Sequence, residues 1–467
     1  MANVDSVKTR PTKRVADIKH PPAITRLLIA NRGEISRRII RSAHAMGIST
    51  VAVYANDDRD APFVREADDA IALGGDSARE TYLDAEKILA AASACGADGI
   101  HPGYGFLSEN AEFARAVVEA GINWVGPSPE AIGAMGDKLS AKRLMERAGV
   151  PQLPSSTLES GADVALAAES IGFPLLVKAS AGGGGRGMRV VEHEQDLADA
   201  LDAARREAQA AFGDDTVFLE RWLSRAHHVE IQVLGDHHGH LVHCFERECS
   251  IQRRHQKIIE EAPSPSIDAN LRARMGEAAV AAAKAIHYYS AGTVEFLVEG
   301  EEFWFLEMNT RLQVEHPVTE VVTGIDIIKE QINIAFNGET SLKQEDIQPR
   351  GHAIECRINA ENSKSFIPSP GKIITYHPSG GPGVRIDSTI YQGYTIQPFY
   401  DSLIAKLIVF SENRKTCLAR TKRALEEFII EPIDTTLDLH RKIISNKDII
   451  KGNYSIKWLE EKFLSKD

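Results

Sequence analysis

The sequence has no cysteine pair at CxxC spacing. Its 5 cysteines, Cys95, Cys244, Cys249, Cys356 and Cys417, are odd in number and scattered. That pattern excludes a disulfide framework and a structural zinc site, and it fits a reducing, cytoplasmic setting. No apolar run approaches the roughly 20 residues that a membrane-spanning helix needs, so no membrane role is expected. Positive charge is also in deficit. A formal net charge of -12 excludes broad electrostatic binding to nucleic acid, so any anionic substrate must meet a local basic pocket. Internal repeats, low-complexity tracts and an apolar signal core are missing too. Residues 1–20 carry Lys8, Arg10, Lys13, Arg14 and Lys19 without such a core, which argues against a secretory signal. Asp5 and Asp17 interrupt any transit-peptide pattern, and residues 1–22 read as a disordered extension.

What is present is a long globular chain. At 467 residues and roughly 150 residues per domain, three units are expected. The apolar run over 25–30 followed by Asn31-Arg32-Gly33-Glu34 reads as a buried parallel strand turning into a helix that ends near Gly47. Strands over 50–54, 99–101 and 124–127 continue the alternation and predict a small doubly wound domain whose strand ends face a ligand. Gly126-Pro127-Ser128-Pro129 reads as a linker, with a helix over 137–148 and a new unit from about residue 150. Residues 153–223 read as an α+β lobe with one helix, a strand over 174–178, a glycine-rich loop, a second strand and a second helix. Strand-like runs over 229–234, 293–298 and 303–306 predict an antiparallel sheet with polar residues on one face. A third segment begins near Gly351. Alanine is plentiful up to about residue 291 and scarce afterwards; a strand-rich final region and a fusion of two related parents both account for that.

The strongest local motif is Lys178-Ala179-Ser180-Ala181-Gly182-Gly183-Gly184-Gly185-Arg186-Gly187-Met188. A strand ends in lysine and enters a loop whose glycines let backbone N–H groups approach phosphates. It is neither a Walker loop nor a dinucleotide fingerprint, and phosphate binding competes with a plain flexible linker. A second motif is an acid pair on neighbouring strand-like runs, Glu295 and Glu307, with Asn309 beside it. Apolar flanks mean that each acid either faces a polar cleft or is buried at a cost of several kcal/mol. Their oxygen donors suit magnesium; two solvated strand faces are the alternative. The string Asn309-Thr310-Arg311-Leu312-Gln313-Val314-Glu315-His316-Pro317 offers a planar fork in Arg311 for a small planar anion and a base in Glu315, against a surface loop of satisfied charges. Finally, the basic cluster over 249–261 reads as a loop that could bring His255 and Lys257 to an anion site.

Taken together, these strings resemble the biotin carboxylase family. The resemblance spans about residues 26–463. It rests on Leu28-Ile29-Ala30-Asn31-Arg32-Gly33-Glu34-Ile35, His101-Pro102-Gly103-Tyr104-Gly105-Phe106-Leu107-Ser108-Glu109-Asn110, Gly136-Asp137-Lys138, the loop at Lys178, His228-Val229-Glu230-Ile231-Gln232 and the string from Glu307 to His316. The implied fold is mixed α/β and α+β: an ATP-grasp fold with an N-terminal doubly wound parallel-sheet domain (23–135), an ATP-grasp domain (136–340) carrying a mobile glycine-rich lid (about 153–223), and a C-terminal biotin carboxylase domain (341–467). The resemblance implies that Lys138 and Lys178 grip ATP phosphates under a lid containing Gly184 and Gly185. Glu220 would meet the adenine, with His228, Gln252 and His255 lining the nucleotide pocket. Glu295, Glu307 and Asn309 would hold Mg2+ or Mn2+. Lys257, Arg311, Gln313, Val314 and Glu315 would form the bicarbonate pocket, with Glu315 as base, and Arg357 would steady the biotin enolate near Tyr104.

The implied reaction is ATP-dependent carboxylation of biotin through carboxyphosphate, the first half-reaction of an acyl-CoA carboxylase. The sequence holds no Ala-Met-Lys-Met biotinylation string, so biotin is expected on a partner carrier protein, with a separate carboxyltransferase and a homodimeric enzyme. Another ATP-grasp ligase forming an acyl-phosphate is the competing enzyme. The Arg311–His316 string and the segment with Arg357 argue against it. Lys138, Glu307, Arg311 and Glu315 together argue against a non-catalytic subunit.

Overall fold

Leu27, Leu28 and Ile29 lack polar alternation because both faces of their strand are covered. In the computed structural model they form β1 (Arg26–Ile29), fully buried in a parallel sheet. The structure describes residues 24–158, 164–179, 188–212 and 216–464. With β2 (Ser49–Tyr54), β3 (Asp69–Ala72), β4 (Gly99–His101) and β5 (Asn123–Trp124), the strand order is β3-β2-β1-β4-β5. Helices α1 (Gly33–Ala45), α2 (Pro62–Glu66), α3 (Ala85–Cys95) and α4 (Ala111–Glu119) connect the strands. The order reverses between β1 and β4, where loops past the strand ends form a crevice. There Asn31 Nδ2 donates to the carbonyls of Pro102 and Tyr104, both at 2.7 Å. Gly103, at φ +64, fits the turn because a Cβ would lie 2.9 Å from that same nitrogen.

Gly126-Pro127-Ser128-Pro129 is not the linker expected of it. Ser128 Oγ accepts from Ala131 N at 3.1 Å and caps α5 (Pro129–Gly136), and Asp137 caps α6 (Lys138–Arg147) in turn. Beyond them lies a small unit of β6 (Ser155–Leu158), α7 (Val164–Ile171), β7 (Leu175–Ala179), β8 (Met188–Val191), α8 (Leu197–Phe212) and β9 (Val217–Arg221). Its strands form an antiparallel sheet in the order β6-β9-β7-β8. Leu175, Val177 and Leu219 pack beneath Leu201 and Ala204. Strands β6 and β9 had no clear sequence signal, being short and of mixed polarity.

The largest sheet contains β10 (His227–Gly235), β11 (Leu241–Arg253), β12 (Gln256–Ala262), β13 (Ser290–Glu299), β14 (Glu302–Asn309) and β15 (His352–Asn359). Small strands β16 (Gly371–Lys372) and β17 (Thr375–His377) follow, then β18 (Val384–Ser388), β19 (Thr395–Ile396), β20 (Leu403–Ser411) and β21 (Ile429–Glu431). The eight-stranded order is β14-β13-β10-β11-β12-β15-β20-β18, every pairing antiparallel. The segment beginning near Gly351 thus adds strands to the sheet that β10 began. Alternation divides the sheet cleanly. Val229, Ile231 and Val233 pack on α9 (Ala269–Ala285) through Leu271, Met275 and Ala279. Ile354, Cys356 and Ile358 pack beside α12 (Arg414–Glu427) and α13 (Leu437–Ile444) through Cys417, Leu425 and Ile443. The intervening residues, Glu230, Gln232, Glu355 and Arg357 among them, line the opposite face. Helices α10 (His316–Thr323) and α11 (Ile327–Asn337) lie against the sheet, with α10 touching β11, β12, β15 and β20.

After α14 (Lys447–Lys451) the chain returns to the small unit's connector. Ile456 N donates to Ala226 O at 3.0 Å, Arg225 Nη2 donates to Asn453 Oδ1 at 2.8 Å, and Lys457 Nζ lies 3.3 Å from the Trp222 ring centre. Further on, Glu460 accepts from Arg254 N at 2.7 Å. Among the described residues, no helix is long and apolar enough to cross a membrane.

Candidate active site

The basic cluster over 249–261 is a hairpin, not the loop its sequence suggested. β11 and β12 meet in a tight turn at Arg254 and His255, both left-handed at φ 47 and φ 66. Alternation was hidden because one face of this hairpin is polar and buried. Gln252 pairs in register with Lys257, and His255 sits exposed at the tip.

Lys257 reaches from β12 into a group of acids. Its Nζ donates to Glu230 Oε2 at 2.6 Å, Glu295 Oε1 at 2.9 Å and Glu315 Oε1 at 2.6 Å. Glu315 stands at the start of α10, and its second oxygen accepts from Arg357 Nη2 at 2.9 Å. Arg357 Nε in turn donates to Glu260 Oε1 at 2.5 Å. Burial alone would push the Glu315 carboxyl up; Lys257, then Arg357 and Arg247, hold it well below the usual carboxylate range. Glu315 is therefore an ionised carboxylate bonded to two cations at once.

Glu295 and Glu307 lie directly opposite each other on β13 and β14, with Asn309 two residues further on. Their surroundings differ: Glu295 is buried and Glu307 exposed. Glu295 accepts from Asn309 Nδ2 and Gln313 Nε2, both at 2.9 Å, and its other oxygen is 2.8 Å from His228 Nε2. Burial opposes its charge, but Lys257 and His228 keep it ionised. An all-oxygen donor set on two adjacent strands fits a hard divalent cation. Arg311 is fixed by Glu109 through Nε and by Asn309 through Nη2, each at 2.9 Å. Val314 presents its carbonyl to Lys406 Nζ at 2.8 Å. Tyr104 donates its hydroxyl to Glu34, which is paired with Lys406 at 3.0 Å.

Lys178 on β7 and Glu220 on β9 are diagonal neighbours, in register with Phe218 and Leu176 respectively, and form an ion pair, with Lys142 Nζ 3.4 Å from the same acid. Lys138 begins α6. Gly184 and Gly185 lie outside the described residues.

Sequence reasoning missed the supports of this site: Glu230, Arg247, Glu260, Glu355 and Lys406. Arg247 is fully buried and donates to Glu230, Gln232, Thr319 and Thr293 at 2.5–3.0 Å. The available signal was period two: His228-Val229-Glu230-Ile231-Gln232 and Ile354-Glu355-Cys356-Arg357-Ile358 place a polar side chain at every second position between apolar ones. That pattern marks a sheet with one polar buried face.

A small antiparallel unit with a glycine-rich sequence between β7 and β8, set beside a sheet whose polar face gathers lysine, arginine and carboxylates, defines an ATP-grasp ligase. Comparison with known proteins specifies the class further. Residues 23–132 match the biotin carboxylase N-terminal domain, 137–343 the ATP-binding domain of the carbamoyl-phosphate synthase L chain, and 355–461 the biotin carboxylase C-terminal domain. Biotin carboxylase 1 of Bacillus subtilis is 51% identical over 442 residues, 94% of this chain and 98% of that protein. The crystal structure of the biotin carboxylase–beta-gamma-ATP complex from Campylobacter jejuni has a TM-score of 0.84 at 48% identity, covering 94% and 98% of the two chains. The biotin carboxylase domain dimer of Hydrogenobacter thermophilus 2-oxoglutarate carboxylase, in complex with MgADP, ADP and bicarbonate, has a TM-score of 0.84 at 46% identity with the same coverage. The chain belongs to the biotin carboxylase family.

Proposed function

We propose that this enzyme uses ATP and bicarbonate to carboxylate biotin carried on a partner protein. One observation carries the reading: a single buried carboxylate, Glu315, is held between Lys257 and Arg357 on the polar face of the sheet. Lys138 and Lys178 grip the triphosphate, with Gly184 and Gly185 as further nucleotide contacts. Glu220 meets the adenine, and His228, Gln252 and His255 line the nucleotide pocket. ATP entry therefore separates Lys178 from Glu220. Glu295, Glu307 and Asn309 would hold Mg2+ or Mn2+, which supplies charge neutralisation among the phosphate oxygens when bound.

Bicarbonate lies between Arg311, Gln313, the Val314 backbone and Lys257, where its charge replaces that of Glu315 as partner of the lysine. Glu315 takes its proton, and the resulting nucleophile attacks the γ-phosphorus of ATP, breaking its bond to the β,γ-bridging oxygen and giving ADP and carboxyphosphate. A water-excluding pocket is needed because that species hydrolyses readily. Its breakdown yields carbon dioxide and a phosphate that deprotonates the ureido nitrogen of biotin. Arg357, beside Tyr104, steadies the enolate as it attacks the carbon dioxide.

The units follow the same division: 23–135 and 341–467 flank an ATP-grasp unit over 136–340, with the lid over about 153–223. The relatives' names place such proteins in carboxylase assemblies, which supports a biotin carboxyl carrier protein and a carboxyltransferase as partners and a homodimer as the working form. Five unpaired cysteines, four of them buried, support a cytoplasmic setting. The test is ATP hydrolysis measured with bicarbonate, with and without free biotin. Stimulation by biotin is expected; hydrolysis indifferent to biotin would point to a different acyl-phosphate ligase.

A further inference from the structure

Behind Arg357 lies a carboxyl group for which the reaction above has no use. Glu355 is two residues from Arg357 on the same face of β15, is fully buried, and stands in register opposite Glu260 on β12. The buried acids around it have cations within 3.0 Å: Glu230 has Arg247 and Lys257, Glu295 has Lys257, and Glu315 has Lys257 and Arg357. Glu260 has Arg357, Glu34 has Lys406, and Asp387 has Arg385. Glu355 differs. Neither of its oxygens accepts a hydrogen bond from any described residue, and the outer oxygen of Glu260 is also without a donor.

An ionised carboxylate stripped of water and of hydrogen-bond donors is among the costliest arrangements a protein interior can hold; such a group keeps its proton instead. The groups facing Glu355 point the same way. From β12 comes Glu260 and from the start of α10 comes Glu315, both acids; Lys406 on β20 and Arg357 on its own strand are the cations. Lys406 is already bonded to Glu34 and Val314 O, and Arg357 to Glu260 and Glu315. His316, also in α10, is buried and kept neutral by burial and by Lys406, and the Tyr104 hydroxyl is engaged with Glu34. Burial, then Glu260, pushes the Glu355 carboxyl well up against the pull of Lys406, and burial raises Glu260 to about 7.

We propose that Glu355 is a positioning residue that stays protonated opposite Glu260, so that Arg357 faces substrate instead of being drawn back onto a second buried anion. This rests on the assignment of Arg357 to the biotin step. At high pH Glu355 would lose its proton, and Arg357 would be neutralised by a second buried anion on its own strand.

Two measurements on the full chain test this. In the first, kcat/KM for free biotin is followed from neutral to alkaline pH in wild type and in Glu355→Gln, which mimics the protonated acid. One pH unit above the wild-type inflection, the variant should exceed wild type by about tenfold, because a single proton controls the decline. Superimposable alkaline limbs overturn the proposal. In the second, infrared difference spectra between wild type and Glu355→Gln should show a carboxylic-acid carbonyl band that shifts in D2O; its absence overturns the proposal as well. The spectrum needs no turnover, so it judges Glu355 even if biotin stimulation is absent and the reaction assigned above is wrong. Should Glu355→Gln not fold, Glu260→Gln takes its place in both measurements: it should move the alkaline limb and the band, and no movement of either overturns the proposal.

Discussion

Lys257 Nζ lies 2.6 Å from Glu315 Oε1, and the other oxygen of that carboxylate lies 2.9 Å from Arg357 Nη2. A base clamped by two cations is weak until one of them is drawn to another anion. On the reading proposed above, proton removal would be conditional on the arrival of bicarbonate, which would compete for the same lysine.

Replacing Lys257 by methionine leaves Glu230, Glu295 and Glu315 facing one another without their shared cation. A loss of about 3–5 kcal/mol in unfolding free energy is expected, as for other broken buried pairs. Urea denaturation at neutral pH checks it, and a change below 1 kcal/mol, the size of a surface pair, would count against the shared-cation reading.

Glu315→Gln keeps the shape and removes the base. Carboxylation should fall by about a hundredfold to ten-thousandfold, as for loss of a general base. Nucleotide affinity should hold if Glu315 meets bicarbonate as proposed. Steady-state kinetics and calorimetric titration with ATP separate the two; a parallel collapse of ATP binding would show that the residue is chiefly structural.

Arg357→Lys retains charge but loses the planar fork that bonds Glu260 and Glu315 together. Biotin-dependent turnover should drop by about a hundredfold, the cost of one misplaced electrostatic stabiliser, while biotin-independent ATP hydrolysis falls less. Equal losses in both activities would place the arginine in the first step instead of the second.

Glu261 carries a pH-dependent share of stability. It accepts from His352 Nε2 at 2.6 Å, Arg414 Nε at 2.7 Å and the Tyr454 hydroxyl. Burial would raise its pKa, but the bonds from His352 and Arg414 lower it from 4.5 to about 2. A depressed acid stabilises the fold above its unfolded value and loses that contribution as pH falls through the folded one. Glu261→Gln should cost about 3 kcal/mol at neutral pH and almost nothing near pH 2. Unfolding curves across that range decide it; a pH-independent penalty would mean that packing, not charge, is lost.

The N-terminal sheet was legible in the sequence because unbroken apolar runs such as Leu27-Leu28-Ile29 have one reading when bounded by turn signals. The acid pair Glu295 and Glu307 was legible for a related reason, each being a lone charge in an apolar strand. The hairpin carrying Gln252 and Lys257 was not. Its charged residues belong to a buried polar face, and a one-dimensional pattern cannot separate charges facing a site from charges facing water. Ser128 misled for a local reason, since a proline-flanked serine marks a loop and a helix cap equally well. Glu355 and Arg247 escaped notice because their importance lies in what stands opposite them on strands far away in the chain.

The stretch from Asn453 to Glu460 touches the connector of the small sheet at one end, through Ile456 and Lys457, and the turn at Arg254 at the other. It therefore ties the connector of the small sheet to the tip of the Lys257 hairpin, so the two share one footing made by residues far along the chain.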